Sequence, residues 1–528
     1  MNHRSRLFRP GTTLVGGLIL CLALVSGCSA HDSAAPRGHS EADVSGELPG
    51  KIPGTVRVGM SAALTTIDPD RAVQDVDVMS LALVSGTLLR STSKGIQPGL
   101  AESCEASSAG LVYVCTLRKG LRFSDGTAIT GNDVVASFQR ALTDTANANA
   151  GLISTLKKVE ADGADAVRFT LAEPTTSFLL ALTEGPLGIF PADKINTPGF
   201  FTQPVSSGPY RLAEHSSDGS TFERNPYYIP ELKPVVETVE FDVVVDPSTR
   251  QLQLATGQLN IAHELPPNLA SQVKRPAQAY ATGQYGAVYI FMNNNSGPLR
   301  EVNVRRAIST AVDREAINQI AYLGQNKPLA SFLPTVMEGH DPDVSVERDV
   351  AKARDLLKGT ECEQGCKLTI MQRAGRVPFD SIATVIQRNL AEVGIDVSIQ
   401  TVDQATGNAN EQNGNYQMEV GSLYDVVNSP ELIMLNYGLT KAGGINSLFS
   451  YYDSAEMNRL VAQLAATSGK SERASLLEKI NSTFDQDLPY VPLVDQANVW
   501  ASNISPRIMS FTPNGVYQVG TESAGPGA

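Results

Sequence analysis

The sequence predicts an α/β protein with more than one β-sheet, and three observations indicate this. Its 528 residues are enough for two to four domains. The segment TVRVGM at 55–60 alternates apolar side chains with others, as a half-buried strand does. The segments KLTIMQ, SIATVIQRNLAEVG and IDVSIQTV at 367–402 form a strand, helix, strand pattern, with Gly394 where a helix end favours a left-handed residue. Such a βαβ unit predicts parallel strands and a right-handed crossover.

The N-terminus has the pattern of a secretory signal peptide over residues 1–27. RSRLFRP supplies positive charge without any acidic residue, and the apolar run TLVGGLILCLALVSG that follows is short for a membrane span. The run ends in Val25-Ser26-Gly27-Cys28, which resembles the lipobox of bacterial lipoproteins. In such proteins the cysteine carries fatty acyl chains such as palmitate and becomes the mature N-terminus. An ordinary signal peptide with a chance cysteine is the alternative.

Residues 28–54 predict a lipidated cysteine followed by a flexible tether. The segment is rich in Ser, Ala, Gly and Pro and poor in large apolar residues, a composition that does not form a packed core. A lipid anchor with a tether holds a folded body at a membrane surface without spanning the bilayer. We therefore expect the protein at the extracellular or periplasmic face of the cell membrane.

Four cysteines follow the tether in two close pairs. Cys104 and Cys115 bracket a predicted hairpin, whereas Cys362 and Cys366 would close a tight loop before a strand. Export permits disulfide bonds. Zinc binding is the alternative, but no histidine lies near either pair in the sequence. The sequence favours two disulfides.

The first half of the chain alternates short strands and helices. TLRKGLRFSDGTAITGNDVVASFQRAL at 116–142 predicts a strand, a turn at Asp125-Gly126 and a helix that begins with a capping box at Thr130. Before and after it we predict a helix at 76–89, strands at 167–174, 207–215 and 237–246, and a helix in the segment 248–259 that stops at Gly257.

The second half continues this alternation. AVYIFMNNN predicts a strand that runs into a polar loop, followed by two helices, of which the second begins at Asp313 and ends at Gly324. After the βαβ unit, YQMEVGSLYD at 416–425 predicts another strand. The segment 471–495 predicts a helix with an extended return to an earlier sheet.

Composition and motifs exclude several classes of function. The net charge of −13 argues against a nucleic-acid surface, which requires a basic patch. An S-x-x-K match at 91–94 has no K-T-G partner, and the Gly-Lys-Ser at 469–471 has Leu464 where a phosphate loop requires glycine. His263-Glu264 is followed by Leu-Pro-Pro, so the second histidine of a zinc protease motif is missing. We predict no enzyme activity, no cofactor and no metal site.

The segment 116–142 closely resembles a signature of the bacterial extracellular solute-binding proteins of family 5, the peptide and nickel class that serves ABC importers. The preceding hairpin is similar to the family's hairpin, and YIFMNNNSGPLREVNVRRAISTAVDREAI resembles its second signature. SSGPYRL, RNPYY, AKARDLLKG, IQRNLAEVGIDVSIQ and LPYVPLVD complete the family order. The resemblance covers roughly residues 55–510.

The resemblance implies a two-lobed, periplasmic-binding-protein-like (type II) fold with an additional subdomain inserted in the first lobe. Lobe I would be discontinuous and comprise 55–92, 203–280 and 490–528. The inserted subdomain would cover 93–202, and lobe II would cover 281–489.

The resemblance also implies a function. The protein would be the lipid-anchored substrate-binding component of an ABC importer, which captures a peptide between two lobes by hinge closure and delivers it to the permease and ATPase subunits. Ligand bridges the lobes, so the closed form gains contacts that the open form lacks. We expect a monomer. Two alternatives remain: a binder of a metal chelate or haem-type ligand in the same fold, and a peptide-sensing receptor without transport.

Peptide-binding members of the family pair the ligand backbone with strand-like protein segments. By resemblance, β-addition would occur on Val420–Asp425, opposed by 61–64, and Asp425 would hold the peptide's amino terminus. Asn293, after the second signature strand, would contact ligand directly or through water. The predicted ligand-binding residues are Val420, Gly421, Ser422, Leu423, Tyr424, Asp425, Ala63, Leu64 and Asn293.

Overall fold

The structure is a computed structural model, and it describes residues 51–521 with several gaps. The gaps are residues 73, 93–94, 108–109, 176, 325, 345–346, 374–377, 426–428, 437–438, 440–449, 468 and 514. For 404–405, 408, 423–425, 432 and 435–436 the backbone alone is described. All of these residues belong to one compact unit. The predicted signal peptide, Cys28 and most of the tether lie outside the described residues, so the lipid anchor stays a prediction.

The β-strands of the described residues fall into one large sheet and three small ones. The strands are β1 Thr55–Met60, β2 Leu89–Thr92, β3 Gly95–Pro98, β4 Ala101–Ala106, β5 Val112–Leu117, β6 Leu156–Ala161, β7 Ala166–Leu171, β8 Tyr210–Ser216, β9 Gly219–Arg224, β10 Thr238–Val243, β11 Ile261–Ala262, β12 Gln278–Met292, β13 Cys366–Arg373, β14 Ile395–Val402, β15 Met418–Asp425, β16 Tyr490–Ser502, β17 Met509–Phe511 and β18 Tyr517–Val519.

Helices cover these sheets and connect their strands. The helices are α1 Asp75–Val84, α2 Gly131–Thr143, α3 Ser177–Ala181, α4 Pro247–Thr256, α5 Pro267–Ala270, α6 Val302–Ala311, α7 Arg314–Tyr322, α8 Val350–Leu357, α9 Phe379–Ala391, α10 Gln404–Asn413, α11 Pro430–Asn436, α12 Ala455–Ala466 and α13 Lys470–Asp487. Among the described residues, no helix has the length and apolar character that a membrane crossing requires.

The large sheet has ten strands in the order β14-β13-β15-β12-β16-β11-β1-β10-β9-β8. The long strands β12 and β16 run antiparallel through its middle. We call them the crossing strands, because β15 joins the second half of β12 and β11 joins the end of β16, so the pair connects the two sides of the sheet. The predicted βαβ unit is confirmed, since β13 and β14 are parallel and α9 lies between them in the chain.

Hydrophobic cores lie on both sides of the crossing strands. One core includes Ile290, Ile308, Ile386, Val420 and Ile480 and belongs to the β13–β15 part of the sheet. Another packs β1, β8, β9 and β10 against α1 and the β17–β18 hairpin. A third fills the space under the four-stranded sheet β4-β5-β7-β6. This third core contains no residue from the strands of the large sheet. Such a separate core is what an inserted subdomain requires.

The 116–142 segment contributes to this third core. The predicted capping box is confirmed, because the Thr130 backbone N–H and hydroxyl both donate to Asp133 Oδ2, at 2.8 and 2.9 Å. The predicted strand is shorter than expected, since β5 ends at Leu117. Phe123 nevertheless reaches the core from the loop that follows. The segment is therefore a scaffold of the subdomain.

Both predicted disulfides are formed. Cys104 and Cys115 face each other across β4 and β5 with an S–S distance of 1.99 Å. Cys362 and Cys366 are joined at 2.08 Å across a separation of four residues. The zinc alternative is wrong for these pairs, because each thiol is consumed by its partner.

A buried ion-pair network fixes the helices beside β15. The Arg473 guanidinium on α13 lies 2.7 Å from Glu338 Oε2 and 3.0 Å from Glu431 Oε2 on α11. It also donates to the carbonyl oxygens of Leu464 and Thr467, at the end of α12. One side chain thus ties three helices and a loop together.

Candidate functional site

The strands of the large sheet converge from opposite directions on the middle of the crossing strands. β1 is parallel to β10 and β11, and β11 is antiparallel to β16, so all three run in the direction of β12. β15 runs against β12, and β13 is parallel to β15. The carboxyl ends of β1, β10 and β11 and those of β13 and β15 therefore point toward the same region, which is the middle of the crossing strands. Ligands of open α/β sheets bind outside the carboxyl ends of strands.

The crossing strands are irregular at this central point. The pairing of Gly283 with Ala497 is followed by that of Ala287 with Asp495, so residues 284–286 of β12 face the single residue Gln496. The extra residues bend β12 and interrupt its ladder. This bulge, residues 284–286, lies where a hinge between two halves of the sheet would lie.

The predicted peptide-binding segment 420–425 lies in β15 and ends at this bulge. Its backbone pairs with β12 on one side, from Ile290 opposite Val420 to Tyr285 opposite Asp425. On its other side, β13 pairs only with Met418 and Glu419. Among the described residues, 420–425 therefore have no strand partner along their outer edge. A strand edge without a partner can accept another strand.

The side chains of this segment have different surroundings. Val420 is buried in the core. A Cβ atom on Gly421 would lie 2.7 Å from Phe291 Cε2, so glycine here allows the phenyl ring of β12 to pack against β15. Ser422 is half-buried. The side chains of Leu423, Tyr424 and Asp425 lie outside the described residues, so their roles stay predictions.

Ala63 and Leu64 follow β1, but the chain carries Leu64 toward the outer edge of the sheet. Leu64 is buried and lines a pocket of about 560 Å³ with Phe201 and with Leu212 and His215 of β8. β8 is the outermost strand of the sheet. The structure therefore does not bring Leu64 together with the end of β15. Ala63 is half-buried.

Asn293 is also far from the bulge. It follows the last residue of β12, eight positions after Tyr285, which corresponds to roughly 26 Å along a strand. Its side-chain amide donates to the carbonyl oxygens of Gly414 and Tyr416 at 3.2 and 3.1 Å, and its side chain is 3 % exposed. These contacts join two loops of the protein. The predicted ligand contact of Asn293 has no support in this geometry.

Sequence reasoning missed Glu264 as a site residue; it lies two positions after the end of β11, at the carboxyl edge. Its carboxylate accepts a hydrogen bond from the Ser61 hydroxyl at 2.7 Å, next to the end of β1. Its backbone has a φ of 49°, a left-handed conformation that is unusual for glutamate and common at functional sites. The buried Arg250 side chain donates to its carbonyl oxygen at 2.9 Å. Glu264 thus presents a held carboxylate beside the region where the strands converge.

His263 precedes Glu264 and is buried on the side of β17 and β18. Its Nδ1 lies 3.0 Å from the Tyr517 hydroxyl, and its ring lies 5.2 Å from that of Phe511. Burial lowers the pKa of His263 to about 4, with the Glu264 carboxylate opposing this effect and Arg250 adding to it. The imidazole is therefore neutral at neutral pH.

We expect the stability of the protein to fall in mild acid because of His263. The unfolded state binds a proton at this residue below about pH 6.5, whereas the folded state resists protonation until about pH 4. The contribution is therefore complete above pH 6.5 and is lost as the pH falls toward 4, by roughly 2–3 kcal/mol at pH 4.5. Urea unfolding of the wild type and His263→Gln at pH 7.5 and 4.5 measures it. A smaller acid loss in the variant is expected, and equal losses would contradict the assignment.

Comparison with known proteins places this architecture in a family. The profile described as "Bacterial extracellular solute-binding proteins, family 5 Middle" matches residues 95–444. The chain is 26% identical over 446 residues to the probable D,D-dipeptide-binding periplasmic protein DdpA of Escherichia coli K12, covering 82% of this chain and 86% of that protein. It is also 26% identical over 467 residues to the glutathione-binding protein GsiB of the same strain, covering 83% and 88%.

A solved structure shares the fold. The periplasmic binding protein DppA of Helicobacter pylori, in complex with the peptide STSA, superposes with a TM-score of 0.72 at 22% identity, covering 90% of this chain and 97% of that chain. The predicted two-lobed, type II fold with its additional subdomain is confirmed. Members of the family are binding proteins. The chain belongs to the bacterial extracellular solute-binding proteins of family 5.

Proposed function

We propose that this protein is the substrate-binding component of an ABC importer and that its ligands are peptides. The observation that carries the proposal is the outer edge of β15, which has no strand partner beyond Glu419 among the described residues and ends where the strands of both lobes converge. A peptide can extend the sheet at this edge with its own backbone groups. Such pairing tolerates many side chains, because the main chain supplies the hydrogen bonds.

The similar proteins support a peptide ligand. The names of the two relatives specify a D,D-dipeptide and glutathione, and the H. pylori protein was solved with the peptide STSA. All three ligands are short and carry an amino group and amide bonds. The same chemistry would suit the backbone edge of 420–425.

The mechanism follows from the crossing strands. A ligand seated on β15 and touching the residues after β1 and β11 would contact both lobes at once. The closed form then gains contacts that the open form lacks, so ligand shifts the population toward closure. The permease would recognise the closed form and receive the unchanged peptide.

Several finer points belong to the same proposal. Asp425 would hold the ligand's amino terminus, and its backbone position opposite Tyr285 beside the bulge suits that role. Lobe I would comprise 55–92, 203–280 and 490–528, with the other boundaries as predicted. A monomer, tethered through a lipid on Cys28, would work at the outer face of the membrane without catalytic activity.

Ligand identification tests the proposal directly. The purified protein should release peptides on denaturation, detectable by mass spectrometry. Its melting temperature should rise with at least one of D-alanyl-D-alanine, glutathione and Ser-Thr-Ser-Ala, because a ligand that binds only the folded state stabilises it. A released metal chelate or haem, together with no shift by any peptide, would overturn the proposal. Consumption of a bound peptide on long incubation would overturn the absence of catalysis.

A further inference from the structure

Two amide side chains of β16, Gln496 and Asn498, carry buried oxygen atoms that have no hydrogen-bond partner among the residues that the structure describes. They are two positions apart in one strand, so both side chains project from the same face of the sheet. Trp500 continues that face, and its indole N–H donates to Thr282 Oγ1 at 3.0 Å. Asn498 therefore lies next to an ordered polar contact, whereas Gln496 lies where the pairing of β12 and β16 is interrupted.

Gln496 and Asn498 lie at the irregular middle of the crossing strands. Gln496 is the single residue that faces the bulge 284–286, and Asn498 pairs with Thr282 just before it. Tyr285, in the bulge, is the backbone partner of Asp425. β12 lies between β15 and β16, so the two amides are one strand removed from the end of β15, on the way from that strand to the residues after β11.

A third unpartnered atom lies on the same side of the sheet. His263 Nε2 is buried without a hydrogen-bond partner among the described residues, in a side chain that is 1 % exposed. The ring of His263 contacts that of Tyr517, whose ring in turn lies 6.3 Å from Trp500. His263 and Trp500 thus both pack against Tyr517, on one side of the sheet.

Such atoms are uncommon in folded proteins. More than about nine-tenths of buried polar groups have a partner, and an unsatisfied one opposes folding. An amide oxygen can only accept a hydrogen bond, so its missing partner must carry an N–H or O–H group. A peptide that reaches from β15 across the middle of the crossing strands to the residues after β11 would carry N–H groups past Gln496 and Asn498.

We propose that Gln496 and Asn498 form the floor of the ligand site and accept hydrogen bonds from N–H groups of the bound peptide. This inference rests on the proposed function and adds a selection rule to it. A ligand that cannot donate at these positions leaves the two oxygens buried and unpaired in the closed form. A site that requires a donor rejects analogues lacking it far more strongly than a shape-based pocket does. The floor therefore selects peptides with unmethylated amides.

The test uses the variants Gln496→Met and Asn498→Leu of the whole chain, which keep the side-chain volume and remove the acceptor. Calorimetric titration with D-alanyl-D-alanine, glutathione and Ser-Thr-Ser-Ala should give a dissociation constant about tenfold higher in at least one variant, for each probe that the wild type binds. The melting temperature of the ligand-free variants should be unchanged or higher, because an unsatisfied group is lost. Gln258→Met, at an exposed residue after α4, is the matched control and should change neither quantity.

A second measurement uses the wild type alone. Ser-Thr-Ser-Ala methylated in turn at each amide nitrogen should bind more weakly at the position that meets the floor, and the corresponding variant should not discriminate the methylated peptide from its parent. Unchanged dissociation constants in both variants, or equal binding of all methylated peptides, would overturn this inference alone. Failure of the wild type to bind any of the three probes would overturn the proposed function and this inference with it.

Discussion

Replacing Asp425 by asparagine should raise the dissociation constant of free-amino peptides by about 10- to 100-fold. The change keeps the size of the side chain and removes the negative charge that would face the ligand's ammonium group. A charge-assisted hydrogen bond of this kind contributes about 1.5–3 kcal/mol. Calorimetry with Ser-Thr-Ser-Ala and its N-acetylated form measures the effect, because acetylation removes the charge from the ligand. The variant should lose affinity only for the free-amino form.

Asp396→Asn is the control, because Asp396 is exposed on β14, in the same part of the large sheet as β15. It should bind both peptides as the wild type does. Equal losses for the two peptides in Asp425→Asn would remove the anchoring role of Asp425. In that case Glu264, held by Ser61 at the opposite carboxyl edge, becomes the next carboxylate to replace.

Replacing Arg473 by methionine should reduce the free energy of unfolding by about 3–5 kcal/mol. Glu431, which is 1 % exposed, would lose the guanidinium that faces it in the interior. The carbonyl oxygens of Leu464 and Thr467 would lose a donor as well. Urea unfolding at pH 7.5 measures the change, which is large compared with the usual stability of a folded protein.

Arg459→Met provides the comparison. Arg459 makes an ion pair with Glu456 at 2.6 Å on α12, but both side chains are about half exposed, and such surface pairs contribute about 0–1 kcal/mol. The two variants remove the same kind of group from neighbouring helices. A similar small loss in both would show that burial does not make the Arg473 network important.

The local features were predictable from the sequence, because each one depends on residues close together in the chain. The capping box at Thr130 involves residues three apart, and the Cys104–Cys115 bond joins neighbouring strands of one hairpin. The βαβ unit of β13, α9 and β14 is contiguous as well. Family motifs then supplied the two-lobed arrangement.

The site was less predictable, because its geometry depends on contacts between distant segments. Asn293 binds carbonyl groups more than a hundred positions away, so a loop contact cannot be distinguished from a ligand contact by its motif. The path of the chain after β1 likewise decided that Leu64 lines the outer pocket. The importance of Glu264, Gln496 and Asn498 depends on strand pairing and burial, which no short pattern records.

The position of β16 has a consequence for the order in which the molecule can be completed. This strand begins at Tyr490, yet it lies between β12 and β11 in the sheet. Until it emerges from the ribosome, the earlier strands on either side of that gap lack their shared neighbour. Long-range pairing of this kind forms slowly. The architecture thus postpones closure of the large sheet until residues 490–502 are available to pair with strands that were synthesised long before them.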